Sequence, residues 1–466
     1  MNSLPENLFL DDDEIRLSYA DLHGFTLALH HQIKNCNKPV VIPGMRHPLI
    51  VAAIASCFLL NKPAIIFGAS NRTQAYSLAG FNSVWFRVDQ TPDSLLPPDE
   101  HGESINLSRL SYRAHDSFIR AETPHSDVLV TLFTSGSSGA AKPVHIARGQ
   151  MHSAIQNARN NLYPKPNEKW LLTLPVFHMG GLSIVYRSVS YGSAIRLLRE
   201  FDASTVKLMV ESDRDLRFVS LVPTQLYRLH QAKPKRSHLA AALIGGGPVT
   251  PQLLKEARRN HIPAIASYGM TETCGQIAAQ PAVQPDSLPP ESAGKLFGGN
   301  QVEIRDEHAG RPLPPRKSGV IWLKGSQVLQ KRLNPHLADR FDRNEWFCTG
   351  DFGYVDESGY IFVEARREDL IITGGENVIP RKVEDALLQV EGIKDIAVVG
   401  IEDAEWGQCV AALVVGSPPD PEVLKKFTEA ELPRFAHPRK WIEVDAIPRN
   451  ALGKIQRKKA AEIARK

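Results

Sequence analysis

DVLVTLFTSGSSGAAK, residues 127–142, opens as an apolar, β-branched run and ends in small hydroxyl residues closed by a lysine. The first half has the composition of a buried strand, and the abrupt change to Ser and Gly ends it. Small residues let backbone N–H groups approach anionic oxygens. The hydroxyls of Thr134, Ser135, Ser137 and Ser138 add donors, Gly136 and Gly139 keep the chain slim, and Lys142 supplies charge. A strand that runs into such a loop is read as a phosphate cradle. It is not a Walker loop, because the GxxxxGK[ST] spacing is absent and Val144 stands two residues after Lys142.

The same alternation extends outward from this stretch. Helical patterns over 19–33 and 49–60 are interleaved with PVVIP (39–43) and PAIIFG (63–68), which predicts α/β layers with parallel strands. From 298 to 360 the texture changes to VEIRD, GVIWLKG and GYIFVEA, short runs with turn residues between them that predict an antiparallel β subdomain. Beyond Arg366 come a helical stretch near 380–390, the strand-like IKDIAVVGI and CVAALVV, and a helix near 422–431. These make a small α+β unit. The expected organisation is an α/β N-terminal domain over 1–366, with its β subdomain, and a C-terminal α+β domain over 367–466.

Bulk properties narrow the partners. Across 466 residues Lys and Arg number 55 against 51 Asp and Glu, a net charge of +4, so there is no broad field for nucleic acid or an anionic membrane. Cys36, Cys57, Cys274, Cys348 and Cys409 lie scattered with no CxxC or His-rich spacing, which supports neither a disulfide framework nor a zinc site. The start, MNSLPENLFLDDDEIRLSY, is acidic where a secretory signal is basic, and the apolar stretch 49–60 is too short for a bilayer and reads as a buried helix. A soluble, cytoplasmic protein without membrane insertion is expected. The oligomeric state stays open, a homodimer included.

Three further segments carry chemistry. ASYGMTETCGQ (266–276) presents Tyr268, a flat ring able to stack on a base, Thr271, a hydroxyl able to donate to phosphate, and Glu272, a carboxylate able to hold Mg²⁺. WFCTGDFGYVDESGYIFVEARREDLIITGGENVIPRKVEDAL covers 346–387, and IPRNALGKIQRK covers 447–458.

In this order and spacing the four segments resemble the adenylate-forming superfamily of acyl-CoA synthetases, luciferases and nonribosomal adenylation domains. The resemblance covers nearly the whole chain and implies roles residue by residue. Thr134, Ser135, Gly136, Ser137, Ser138, Gly139 and Lys142 resemble the loop that handles the ATP β- and γ-phosphates. Gly245, Gly246, Gly247 and Tyr268 resemble the adenine site, and Gly269 and Met270 belong with them to the ATP/AMP-binding set. Thr271 would hold the α-phosphate, Glu272 would ligate Mg²⁺, and Asp351 would accept from both ribose hydroxyls with Arg366 beside it. Lys454 resembles the catalytic lysine that bridges the acid and the α-phosphate, Asp369 the hinge pivot of a mobile C-terminal domain. Gly374, Gly375, Glu376 and Asn377 resemble the loop serving the thiol half-reaction, with coenzyme A as co-substrate. Two departures stand out: Ala140, Ala141 and Pro143 surround Lys142 where the family usually has Pro before the lysine and Gly after it, and Ala365 replaces a common Gly.

Within the family, LPVFHMGGLSIVYRSVSYG (174–192), SLVPTQLYRL (220–229) and SYGMTETCGQI look most like the o-succinylbenzoate-CoA ligases of menaquinone biosynthesis. That acid has a second carboxylate, which must be recognised without reacting. Arg187, a permanent cation in an apolar segment, is the residue such a group needs. Ser220 and Thr224 would add hydrogen bonds, and His178 would flank the acyl pocket. Other aryl- or fatty-acyl-CoA ligases, an enzyme loading a carrier protein, and a noncatalytic nucleotide-binding regulator remain open readings at this level.

Overall fold

The computed structural model describes residues 6–80, 83–96, 103–113, 127–135, 141–282, 289, 291–307, 309–417, 420–449 and 455–465. The chain divides into two compact units, one built from 1–301 with 324–347 and the other from 302–323 with 348–466. The small β sheet and the C-terminal residues thus fall in the same unit, and the segment 365–370 lies inside it.

The first unit holds two large sheets. In the six-stranded one the order is Glu103–Asn106, Val84–Arg87, Val40–Pro43, Ala64–Phe67, Val128–Ser135, Ala141–Ala147, parallel except for the last pair. VVIP and AIIF are buried at every position, as strands covered on both faces must be. The second sheet has nine strands, ordered Lys295–Leu296, Gly275–Ala279, Ala264–Met270, Ala241–Ile244, Leu216–Leu221, Lys169–Leu172, Ala194–Leu197, Leu8–Asp11, Arg16–Ser18. Its middle is parallel and both ends close in antiparallel pairs.

Local chemistry sets the helices between these strands. Ser18 caps the helix Tyr19–Ile33 in a reciprocal capping box: the Asp21 N–H donates to Ser18 Oγ at 3.1 Å, and the Ser18 N–H donates to the Asp21 carboxylate at 2.8 Å. The apolar stretch read as a buried helix is Pro48–Leu59, apolar on all sides and packed against both Tyr19–Ile33 and the helix Met179–Tyr191. Among the described residues no helix is long and apolar enough to cross a membrane.

The second unit has a four-stranded sheet ordered Asn300–Arg305, Gly319–Gly325, Phe347–Val355, Ile361–Arg366. A short hairpin follows, Ile371–Thr373 with Glu376–Val378. Its two turn residues, Gly374 and Gly375, have φ of +57° and +83°, the left-handed pair that a tight hairpin requires and glycine supplies without strain. A three-stranded sheet of Ile393–Asp403, Gly407–Gly416 and Lys440–Glu443 is covered by the helices Pro380–Leu387, Pro421–Glu431 and Arg457–Arg465. The strands and helices expected from the sequence in this region are all present.

Candidate active site

The phosphate-cradle sequence leaves the six-stranded sheet where Val128–Ser135 turns back as Ala141–Ala147. The register pairs Thr134 with Lys142, so the hydroxyl and the exposed lysine at the two ends of the loop sequence are neighbours. Gly136, Ser137, Ser138 and Gly139 lie outside the described residues, as does the Ser135 side chain. The base of this hairpin is fixed by Asn334, which accepts from the His145 N–H at 2.8 Å and donates to the His145 carbonyl at 2.9 Å.

Three neighbouring parallel strands of the nine-stranded sheet bring eight of the other predicted residues together at their C-terminal ends, where open α/β sheets place ligands. Leu216–Leu221 carries Ser220 and leads to Thr224, Ala241–Ile244 leads into Gly245, Gly246 and Gly247, and Ala264–Met270 carries Tyr268, Gly269 and Met270. Gly246 has φ +75°, and a side chain on Gly269 would stand 1.8 Å from the Gly275 carbonyl oxygen. A side chain would be strained at the first position and excluded by backbone at the second.

Past Met270 the chain tightens into a 3₁₀ turn, Thr271–Thr273, and returns through Cys274 and Gly275 in left-handed conformation. The Thr273 hydroxyl holds that turn, accepting from the Met270 N–H at 3.0 Å and donating to the Gly275 carbonyl at 2.8 Å. Glu272 is thereby buried at 8% exposure, with Oε1 3.2 Å from Arg340, whose guanidinium stacks over Phe347 at 4.5 Å. Among the described residues no group of three or more His, Cys, Asp or Glu side chains is placed to hold a metal. A single buried carboxylate such as Glu272, whose Oε1 here pairs with Arg340, suits Mg²⁺, which keeps several waters and takes its other ligands from substrate phosphates.

Two of the residues expected on the acid side, His178 and Arg187, belong to one helix. His178 is the N-cap of Met179–Tyr191, its pKa lowered by burial, its ring 4.5 Å from that of Phe177. Phe177 in turn lies over Gly44 and Gly68, at the ends of two strands of the other sheet, where added Cβ atoms would come within 2.5 and 2.9 Å of it. Arg187, two turns further along the helix, is 3% exposed. Among the described residues no carboxylate pairs with it. Burial lowers its pKa, against weaker raising effects of Tyr191 and Cys274.

Trp170, which sequence reasoning passed over, links the acid-side residues. It is fully buried, its ring lies 5.7 Å beneath the Arg187 guanidinium, and its indole N–H donates to Ser220 Oγ at 3.1 Å. Gln276 was also passed over: both polar atoms of its side chain are buried with no partner among the described residues. A tryptophan in a strand reads as core, so only the fold reveals that its nitrogen ties Ser220 to the cation.

In the second unit, Asp351 is 4% exposed and stands directly across the antiparallel pair from Arg366, Oδ1 to Nε 3.0 Å. Arg366 also donates to the Thr349 carbonyl at 3.3 Å. Asp369 closes the short turn Arg367–Asp369 and lies 3.8 Å from Arg457. Gly374 donates to the Trp406 carbonyl at 2.9 Å, and a side chain there would strike the Trp406 ring at 2.6 Å. Glu376 pairs with Thr373 across the hairpin, and Asn377 donates to Glu307 at 3.5 Å. Lys454 lies outside the described residues.

Comparison with known proteins identifies the family. Residues 60–331 match the family described as AMP-binding enzyme, and 382–454 match the AMP-binding enzyme C-terminal domain. The 2-succinylbenzoate–CoA ligase of Bacillus pumilus is 38% identical over 421 residues, 88% of this chain and 85% of the relative. The o-succinylbenzoate CoA synthetase (MenE) of Bacillus subtilis in complex with its acyl-adenylate intermediate superimposes with a TM-score of 0.82 at 28% identity, over 98% of this chain and 95% of that one. The same enzyme with ATP and magnesium ion gives a TM-score of 0.82 at 28% identity, over 97% and 96%. With its cradle sequence, its strand-end glycines and its C-terminal lysine segment, this chain belongs to the AMP-binding enzyme family, the adenylate-forming ligases.

Proposed function

We propose that this protein is a cytoplasmic, ATP-dependent acid–thiol ligase that converts o-succinylbenzoate to its CoA thioester in menaquinone biosynthesis. The observation that carries the choice of acid is Arg187. A buried cation with no carboxylate partner among the described residues, seated on Trp170 beside Ser220, suits a substrate with a second, unreactive carboxylate. Thr224 and His178 complete the proposed acid-binding set.

In the first half-reaction a carboxylate oxygen of the acid bonds to the α-phosphorus of ATP, the bond from that phosphorus to the β-bridging oxygen breaks, and diphosphate leaves. Two anions must approach, and charge builds on the α-phosphoryl oxygens. Lys454 is assigned to bridge the reacting carboxylate and the α-phosphate, with Thr271 donating to that phosphate. Thr134, Ser135, Gly136, Ser137, Ser138, Gly139 and Lys142 are assigned to the β- and γ-phosphates. Gly245, Gly246, Gly247 and Tyr268 are assigned to the adenine, Gly269 and Met270 with them to the ATP/AMP-binding set, and Asp351 with Arg366 to the ribose hydroxyls. Mg²⁺ on Glu272 would offset charge on the phosphate oxygens.

In the second half-reaction the CoA sulfur bonds to the acyl carbon, the thiol proton passes to solvent, and AMP leaves. Gly374, Gly375, Glu376 and Asn377 are assigned to this step. Asp369 is assigned as the pivot between a domain of residues 1–366 and one of 367–466.

The test is a panel of carboxylic acids assayed for acid-dependent diphosphate release with and without CoA. The expected outcome is release with o-succinylbenzoate and thioester formation when CoA is added. If another acid is turned over and o-succinylbenzoate is not, the substrate assignment is wrong. If the thioester forms on a carrier protein and not on CoA, the thiol acceptor is wrong.

A further inference from the structure

The residues on either side of Lys454 are fastened to one strand. On the entry side Arg449 donates to both oxygens of Asp395, at 2.8 and 3.0 Å, and forms an antiparallel bridge with Ile455. The Gln456 N–H donates to the Pro448 carbonyl at 2.8 Å, which closes the base of the segment. On the exit side Arg457 forks onto Glu384, Nη1 to Oε1 at 2.6 Å and Nη2 to Oε2 at 3.0 Å, and Nη1 also donates to the Val398 carbonyl at 2.7 Å. The Val398 N–H donates to Glu384 Oε1 at 2.8 Å, so strand, carboxylate and guanidinium form a closed set. Asp395 and Val398 both belong to the strand Ile393–Asp403.

A buried ion pair is weak support for stability, since desolvation offsets much of its attraction. Its planar, two-point geometry, by contrast, fixes direction. We propose that Arg457, and secondarily Arg449, are positioning residues that set where Lys454 stands when the acid is adenylated. The proposal rests on the assignment of Lys454 to that half-reaction. A lysine on a four-carbon stem reaches its target in register only if its own backbone is held, and misplacement by about 1 Å costs a reaction of this kind on the order of 10²-fold. Arg457 carries the larger share because it is mostly buried with three short bonds, whereas the Arg449–Asp395 pair is 36% exposed on each side.

Arg457→Lys keeps the cation opposite Glu384 but cannot reproduce the fork. It is expected to lower o-succinylbenzoate-dependent ATP–diphosphate exchange by about 10- to 100-fold. Arg457 also lies 3.8 Å from Asp369, so thioester formation from synthetic o-succinylbenzoyl adenylate and CoA should fall as well, but at least about tenfold less than exchange does, because that step does not use Lys454. Asp395→Asn, at the exposed end, should show the same split at smaller amplitude and serves if Arg457→Lys fails to fold. Equal loss in both half-reactions with a lowered Tm would mean a structural role only and would overturn the proposal, as would no loss in either. If the wild-type protein shows no exchange with o-succinylbenzoate, the substrate reading falls, and the same ratio is measured with the acid that does support exchange.

Discussion

Replacing Arg187 with methionine tests the acid assignment most directly. The side chain is 3% exposed and lies over Trp170, so water screens it little and the energetics of a buried pair apply rather than those of a surface one. Removing one partner of a buried charge pair costs about 3–5 kcal/mol. At about 1.4 kcal/mol per tenfold, the lower end predicts a rise of roughly 150-fold in the KM for o-succinylbenzoate, or an equal fall in kcat/KM. The ATP KM should change little. Methionine fills a similar volume without charge, and among the described residues no carboxylate stands opposite this cation, so Tm should stay level or rise. Steady-state diphosphate release, with acid and ATP varied in turn, measures the first effect and thermal unfolding the second. Benzoate, which lacks the second carboxylate, should be a poor substrate for both proteins with little difference between them. An unchanged acid KM would refute the reasoning, and so would a parallel rise in the ATP KM.

Other expectations follow from the same assignments. Lys454→Ala should reduce adenylate formation by orders of magnitude while sparing thioester formation from preformed adenylate, and equal loss in both would contradict a division of labour. Gly374→Ala forces a left-handed backbone onto a residue with a side chain and drives it into the Trp406 ring, so thioester formation should slow by about tenfold or more with adenylation little changed; half-reaction assays decide it. Burial lowers the pKa values of His47, His145 and His178 below the ordinary 6.5, helped at His47 by Arg199 and at His145 by His336. The unfolded chain therefore takes up these protons first as pH falls. Stability is full above the ordinary value and declines below it, read as a falling Tm between about pH 8 and pH 5.5; a Tm that rises over that range would contradict the sign.

Much of this was legible in the sequence because it is local. The helical pattern over 19–33 and the β-branched runs at 40–43 and 64–67 are local features, and the structure has the helix and both strands there. What stayed hidden is pairing across sequence distance. Nothing in LFLD states that Leu8–Asp11 will lie parallel to Ala194–Leu197. An arginine in an apolar run reads the same whether it snorkels to water or is sealed in, and only packing decides that Arg187 is sealed. The hold of Glu384 and Asp395 on the two arginines around Lys454 likewise depends on a fold that brings residues more than fifty positions apart together.

The packing of Phe177 over Gly44 and Gly68 bears on transplanting specificity between ligases of this kind. The segment 174–192 carries His178 and Arg187 and is a natural cassette to exchange when a new acid is wanted. Its anchoring aromatic, however, sits in a socket whose walls are written more than a hundred residues upstream. With Cβ atoms at those glycines the ring would have to leave, and His178 beside it would shift as well. A grafted cassette will therefore inherit its pocket only when the recipient also offers bare backbone at both positions, so the smallest portable unit of specificity is discontinuous.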